Sequence, residues 1–230
     1  LSRGYGRKTK GFRWVTPEST ASEVGDEPLA YKKQLVDLPV AVCENRVLGI
    51  EQMTDLQLVI LDDAFQHRAL RGDLNVICTT FSKPFFSDQL MPLGRLRESI
   101  DGLKRAQAII VNRCPAGLTA AQRAPFLTYG LPVFFTQVVY ASPVGPKPHE
   151  ITRWHLFAGI ADPWPFFKYA KSLGQIIDQD TYADHFLFKE ADYQFWEKLA
   201  SELSHDTGIL TTHKDFVRME EHLDRYPNLK

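Results

Sequence analysis

No stretch of the 230 residues matches G-x-x-x-x-G-K-[ST], and no other loop of the kind that cradles phosphate is evident. No window approaches the roughly 18 consecutive apolar residues of a membrane-crossing helix, and no secretory leader is visible. Cysteine is scarce. Cys43, Cys78 and Cys114 are far apart, odd in number and each in or beside an apolar run. That excludes a disulfide framework or a zinc site and predicts buried thiols in a reducing compartment. Charge of either sign is not in excess: 27 Lys and Arg face 28 Asp and Glu, a formal net charge of −1, so nucleic acid is not expected as a partner of the chain as a whole. The local exception is the first thirteen residues, where Arg3, Arg7, Lys8, Lys10 and Arg13 occur with no acid among them. The chain opens on Leu1 rather than Met, which points to a start further upstream; a membrane segment before Leu1 is compatible with all of this.

What is present reads as an α/β protein. Apolar residues make up 44% and charged residues 24%, the proportions of a globular domain, and the length allows one large domain or a domain with a smaller companion. Apolar runs rich in β-branched residues recur at 56–63, 74–80, 106–113, 132–140, 155–160 and 208–215. Several are near-continuous rather than alternating, the pattern of strands buried on both faces of a mostly parallel sheet. Helical segments lie between them at 119–130, 163–174 and 189–204. In the last, Ala191, Phe195, Leu199 and Leu203 are spaced to form one apolar face. A further helix is expected after Pro28. The Pro-rich stretch 141–151 reads as a linker, dividing the chain into 1–145, an incomplete nucleotide-binding core, and 150–230, an α/β portion contributing to the cleft.

The strongest chemical signal is LQLVILDDAFQHRAL, residues 56–70. It places Asp62 and Asp63 at the carboxyl end of an apolar run, the edge where open α/β sheets bind ligands. An acid there can hold Mg²⁺ beside nucleotide phosphates, or cap a short helix; Gln66 and His67 follow within reach of the same ligand. GDEP (25–28) offers Asp26 as a helix cap or as a proton acceptor that needs a partner to tune it. PLGRLRES (92–99) brings Arg95, Arg97 and Glu98 into one loop suited to phosphate charge and a metal, or simply to solvent. Asp184-His185 sits between a strand and the long helix, and THKD (212–215) follows an apolar run. At 1–7, LSRGYGR has two glycines bracketing Tyr5, which let the backbone turn sharply or pass close to another group.

These pieces in this order resemble the tetraacyldisaccharide 4'-kinase family. LSRGYGR, GDEP, DDAFQHRAL-RGDLNV (62–76), PLGRLRES, the AGI-ADP-FF elements around 158–167, DH (184–185) and TTHKD (211–215) together span essentially the whole chain. SRGYGR, DD-FQH and GRLRE are specific in combination. The resemblance implies a P-loop NTPase-like fold, a mostly parallel sheet with flanking helices, whose phosphate loop, with its strand and helix, would precede Leu1. LSRGYGR would then end the strand that follows them. It implies transfer of the ATP γ-phosphate to the 4'-hydroxyl of an acylated glucosamine disaccharide 1-phosphate in lipid A biosynthesis. The expected place is the cytoplasmic face of the bacterial inner membrane, with residues 3–13 toward anionic headgroups.

Carried over residue by residue, Asp26 matches the general base and His185 its partner. Asp62, Asp63 and Glu98 match acids around Mg²⁺-ATP, and Gln66, His67 and Arg97 match nucleotide- or phosphate-side groups. The chain as given is expected to be inactive. Two departures stand out: Ala64 where Gly is common, and His213 where an acid is usual. Two other readings compete, a non-catalytic nucleotide-responsive scaffold and a P-loop phosphotransferase with a different hydroxyl substrate. Retention of Asp26, Asp62, Asp63 and His185 together argues against the scaffold.

Overall fold

A computed structural model describes residues 1–146 and 148–229. In chain order the elements begin with β1 (Arg13–Val15), α1 (Ala21–Val24), α2 (Asp26–Gln34), β2 (Val40–Val42) and α3 (Arg46–Glu51). They continue with β3 (Val76–Thr80), β4 (Ala108–Asn112), α4 (Ala120–Leu127) and β5 (Val133–Phe135). The last are β6 (Arg153–Ala158), α5 (Trp164–Ala170), β7 (Gln175–Thr181), α6 (Glu190–Glu202), β8 (Thr207–Leu210) and α7 (His213–Met219). The chain forms two compact units, Leu1–Val59 with Ala141–Lys230, and Ile60–Tyr140. This division differs from the expected 1–145 against 150–230: the first 59 residues pack with the C-terminal portion. Composition marks a linker but carries no trace of which distant segments pack together. Among the described residues no helix is long and apolar enough to cross a membrane.

Ile60–Tyr140 is built on a parallel sheet of order β3-β4-β5, with Val76 opposite Ala108 and Ile109 opposite Val133. β4 is central and continuous in Ile and Val, so Ile109 and Val111 are fully buried. α4 starts where Thr119 and Gln122 cap each other, Gln122 N donating to Thr119 Oγ1 and Thr119 N to Gln122 Oε1. It drops Phe126 onto the sheet among Phe81, Phe86 and Phe135, at ring separations of 5.1–6.0 Å.

The other unit carries a second parallel sheet, β7-β6-β8, and a small antiparallel ribbon, β1-β2. Central β6 buries Trp154, Leu156, Phe157 and Ala158. Val15, Val24, Leu29, Val42 and Val217 form one cluster that ties the ribbon to α1, α2 and α7. Phe157, Tyr193, Trp196, Met219, Leu223 and Tyr226 form another.

Three expectations need correction. The run 56–63 belongs to none of the sheets, and Leu58 and Ile60 are 77% and 75% exposed. A strand buried on both faces requires pairing neighbours, and none of the described strands pairs with it. α6 forms as expected, but its buried residues are Tyr193 and Trp196, with Phe195 more than half exposed. The aromatic pair wins because Trp196 stacks on Phe157 at 4.6 Å while its indole N–H donates to the Tyr182 hydroxyl at 3.2 Å. Of the three free cysteines, Cys43 and Cys114 are buried but Cys78, on edge strand β3, is exposed. β7 and the β1-β2 ribbon had no counterpart among the expected strands, because acids interrupt the one and three residues are too few to show a period in the other.

Candidate active site

The opening turn and GDEP are neighbours. Ser2 N donates to Ala41 O and Cys43 N to Ser2 O, both at 3.0 Å, which docks the first residues on β2. Gly4 and Gly6 then take positive φ, 69° and 77°, and Lys8 N donates to Ser22 O at 2.8 Å. Gly25, at φ 90° and ψ 150°, lies in a region open essentially to glycine alone. A Cβ there would come within 3.0 Å of Tyr5 O and 3.2 Å of Gly4. Gly25→Ala is therefore expected to cost about 1–3 kcal/mol of stability, read as a lowered unfolding midpoint; an unchanged midpoint would show that the turn relaxes freely. Arg7 is spent on Glu44 and on Gly11 O (2.7 Å); Arg3, Lys8, Lys10 and Arg13 are exposed, and of these Arg13 lies 3.8 Å from Glu23.

Asp26 opens α2 and is buried. Its Oδ2 accepts from His185 Nδ1 at 3.0 Å and from Arg218 Nε at 3.0 Å, with Lys214 Nζ at 3.9 Å. Oδ1 accepts from the Glu27 backbone N–H at 3.0 Å. Burial works to raise the Asp26 carboxyl, but the charges of Lys214, His185 and Arg218 outweigh it and hold the group below the usual carboxylate range. The ionised carboxylate only accepts, so the His185 proton sits on Nδ1. Lys214 Nζ reaches Glu27 Oε1 at 3.1 Å and lies 3.5 Å from His185 Nε2. His185 itself takes the left-handed conformation, φ 57°, at the end of a tight turn in which Phe186 N donates to Ala183 O and Asp184 Oδ1 accepts from His185 N. The Tyr5 ring lies 5.7 Å from the imidazole. The structure thus joins Asp26 and His185, 159 positions apart.

THKD forms the start of α7. Thr212 caps it, accepting from Asp215 N at 3.2 Å and donating to Asp215 Oδ2 at 2.6 Å. His213 points outward to Gln34, so its departure from the usual acid does not touch the cluster. Arg218, missing from the sequence-based candidates, is the closest cation to Asp26. Its spacing was a usable signal: it follows Lys214 by four residues and Asp215 by three, which places all three along one side of a helix.

Within Ile60–Tyr140 the remaining candidates form two local groupings. Arg97 pairs with Asp63 through both guanidinium ends, on an exposed surface. Glu98 accepts from Arg105 at 2.6 and 2.8 Å and from Gln66 Nε2 at 3.2 Å, and Arg105 also lies over the Phe65 ring. The Arg105 hydrogen bonds hold the Glu98 carboxyl below its usual range against a burial effect that would raise it. Gln66 Oε1 and His67 Nε2 are buried without a hydrogen-bond partner among the described residues. Asp62, Asp63 and Glu98 are not gathered: no group of three or more His, Cys, Asp or Glu side chains close enough to hold a metal occurs among the described residues. Asp63 takes a positive φ, 45°, whereas Ala64 does not, so the glycine common at the latter position is not required here.

The chain is 39% identical to a tetraacyldisaccharide 4'-kinase of Cytophaga hutchinsonii, over 95% of this chain and 66% of that protein. It is 34% identical to the enzyme of the same name from Flavobacterium johnsoniae, over 96% and 68%. It thus spans about two-thirds of the length of these relatives. A crystal structure described as the "apo" form of LpxK from Aquifex aeolicus in complex with ATP superposes with a TM-score of 0.69 at 27% identity, covering 96% of this chain and 69% of that one. The family profile described as tetraacyldisaccharide-1-P 4'-kinase matches residues 1–228. With two parallel sheets, flanking helices and that match along its length, the chain belongs to the tetraacyldisaccharide-1-P 4'-kinase family.

Proposed function

We propose that the protein carrying this chain transfers the γ-phosphate of ATP to the 4'-hydroxyl of a tetraacyl glucosamine disaccharide 1-phosphate, a step of lipid A biosynthesis, at the cytoplasmic face of the bacterial inner membrane. The observation that carries this reading is the part-buried Asp26–His185 contact, made by the two motif residues the family resemblance pairs. Asp26 Oδ2 is occupied by His185 and Arg218, which leaves acceptor capacity on Oδ1 for the proton of an incoming hydroxyl. A carboxylate held below its usual range suffices as acceptor. In phosphoryl transfer the hydroxyl becomes acidic as its bond to phosphorus forms, and positioning outweighs base strength.

Gln66 Oε1 and His67 Nε2 are buried without a partner among the described residues, as groups are that a ligand completes; we assign His67 and Arg97 to the nucleotide phosphates, and Gln66, whose free atom is an acceptor, to a donor group elsewhere on the nucleotide. Asp62, Asp63 and Glu98 are oxygen donors of the kind Mg²⁺ takes, and the exposed Arg97–Asp63 pair, worth no more than about 1 kcal/mol, opens easily. Not gathered as they stand, and with Glu98 engaged by Arg105, these three carboxylates would have to converge to hold the ion, which when bound would neutralise charge on the nucleotide phosphates. Arg3, Lys8 and Lys10 are exposed cations available to an anionic membrane surface.

The test is transfer of label from [γ-³²P]ATP, in the natural gene product, to the tetraacyl disaccharide 1-phosphate against a deacylated, water-soluble glucosamine disaccharide. Label on the 4'-hydroxyl of the acylated acceptor alone is expected. Equal labelling of the soluble sugar would favour a phosphotransferase of other specificity, and nucleotide binding without transfer would favour a scaffold.

A further inference from the structure

The cluster around Asp26 holds one more group whose placement has a chemical consequence. Arg218 is 5% exposed as a side chain and Asp215 is fully buried. Arg218 donates from Nε to Asp26 Oδ2 at 3.0 Å, and from Nη1 to Asp215 Oδ1 at 3.0 Å and to Gly159 O at 3.1 Å. Asp215 is itself anchored on its other oxygen, Oδ2 accepting from Gly159 N at 3.0 Å and from Thr212 Oγ1 at 2.6 Å. Both polar groups of the Gly159 peptide, at the carboxyl end of β6, are thereby spent on this pair. A Cβ on residue 159 would sit 3.0 Å from Asp215 Oδ1, so the approach depends on glycine. The guanidinium is thus fixed at one end to strand β6 and to α7, and its free side meets the first residue of α2.

We infer that Arg218, fixed by Asp215, is a positioning residue for the transfer reaction: it holds Asp26 Oδ2 so that Oδ1 faces the acceptor hydroxyl. The inference rests on the proposed role of Asp26 as proton acceptor. Without Arg218 the carboxylate is held only by His185, from a partly exposed turn, and by the Glu27 N–H on Oδ1; Arg218 adds to Oδ2 a donor that is buried and rigidly held. The groups facing Asp26 are His185 with its neighbour Asp184, Lys214 and Arg218 from α7, and Glu27 from its own helix through Lys214. Arg218 is the one among them that is both buried and bound to a second carboxylate. Its charge is therefore shared between Asp26 and Asp215.

The experiment compares Arg218→Gln, which removes the charge, with Arg218→Lys, which keeps a charge but cannot bond Asp26, Asp215 and Gly159 at once. Each is assayed in the natural gene product after its folding has been checked by thermal unfolding. For both, kcat is expected to fall about 10²-fold with the KM for ATP unchanged. In Arg218→Gln the acid limb of the kcat/KM profile moves to higher pH, because Asp26 loses a cation that favours its ionised form. In Arg218→Lys the limb returns toward that of the parent while kcat stays low. A folded variant with parental kcat and parental limb would overturn the inference, and if Arg218→Gln does not fold, the kcat of Arg218→Lys decides alone. Asp26→Asn is the control. If it retains transfer, the reading of Asp26 as acceptor fails. If it is inactive while the Arg218 variants behave as the parent, only the positioning role fails.

Discussion

Asp26→Asn is expected to lower kcat for phosphate transfer by about 10²–10⁴-fold while leaving nucleotide affinity nearly unchanged. The amide keeps the shape of the carboxylate and can still accept from the Glu27 N–H, so α2 keeps its start. It cannot take a proton from a hydroxyl. It also strips a counter-charge from Arg218 and Lys214, so the same substitution carries a stability signature whose sign follows from the carboxyl. The Asp26 carboxyl is depressed in the folded protein: burial opposes ionisation, and Lys214, His185 and Arg218 overcome it. Its contribution to stability is therefore present above the carboxyl value of the unfolded chain and is lost as pH falls through the lower folded value. Asp26→Asn should accordingly be less stable than the parent at neutral pH, and the gap should close in acid. Steady-state kinetics with both substrates and thermal unfolding at neutral and acid pH check the two halves. Transfer at the parental rate would remove Asp26 from the proton-accepting role. A stability gap that widens in acid would contradict the charge assignment.

The largest expected loss of stability is at Trp196. The side chain is 1% exposed, stacked on Phe157, edge-on to Phe195 and hydrogen-bonded through its indole to Tyr182. Trp196→Ala leaves a cavity between α6 and β6 and should cost about 3–5 kcal/mol. Trp164, 64% exposed in the first turn of α5, is the internal comparison: its replacement by Ala should change stability by no more than about 0.5 kcal/mol. Urea unfolding followed by far-UV circular dichroism separates the two, and equal losses would mean that α6 is not packed as described. Trp196 also bears on the site, because the cluster it centres lies on β6, whose carboxyl end carries Gly159 and so Arg218.

How far local pattern reaches can be seen from particular residues. Helices α4, α5 and α6 are legible because their caps and first turns are short-range chemistry: Thr119 with Gln122, Pro165 in the first turn, acids at the start of α6. Strands β3, β4, β6 and β8 are legible as apolar runs. The same criterion misplaces 56–63, since an apolar run states a preference for burial without supplying the neighbours that would bury it. On α6, helical spacing alone selects Phe195, whereas the packed face contains Tyr193 and Trp196, whose polar tips find or tolerate partners only in this fold. Asp26 and His185 are legible as types in motifs. That His185 donates from Nδ1, and that Arg218 and Lys214 complete the cluster, is not.

The sequence by itself therefore determined the α/β class and the family to which the motifs point, and singled out the carboxylate proposed to react, because these rest on residue types at short spacing. Only the tertiary structure decided which segments pack into each unit, which cations face Asp26 and how the charge of Arg218 is shared with Asp215. The reason is physical. A carboxylate's orientation and proton affinity are set by groups within a few ångströms, and here those groups come from positions 27, 185, 214 and 218. No local pattern encodes that distance.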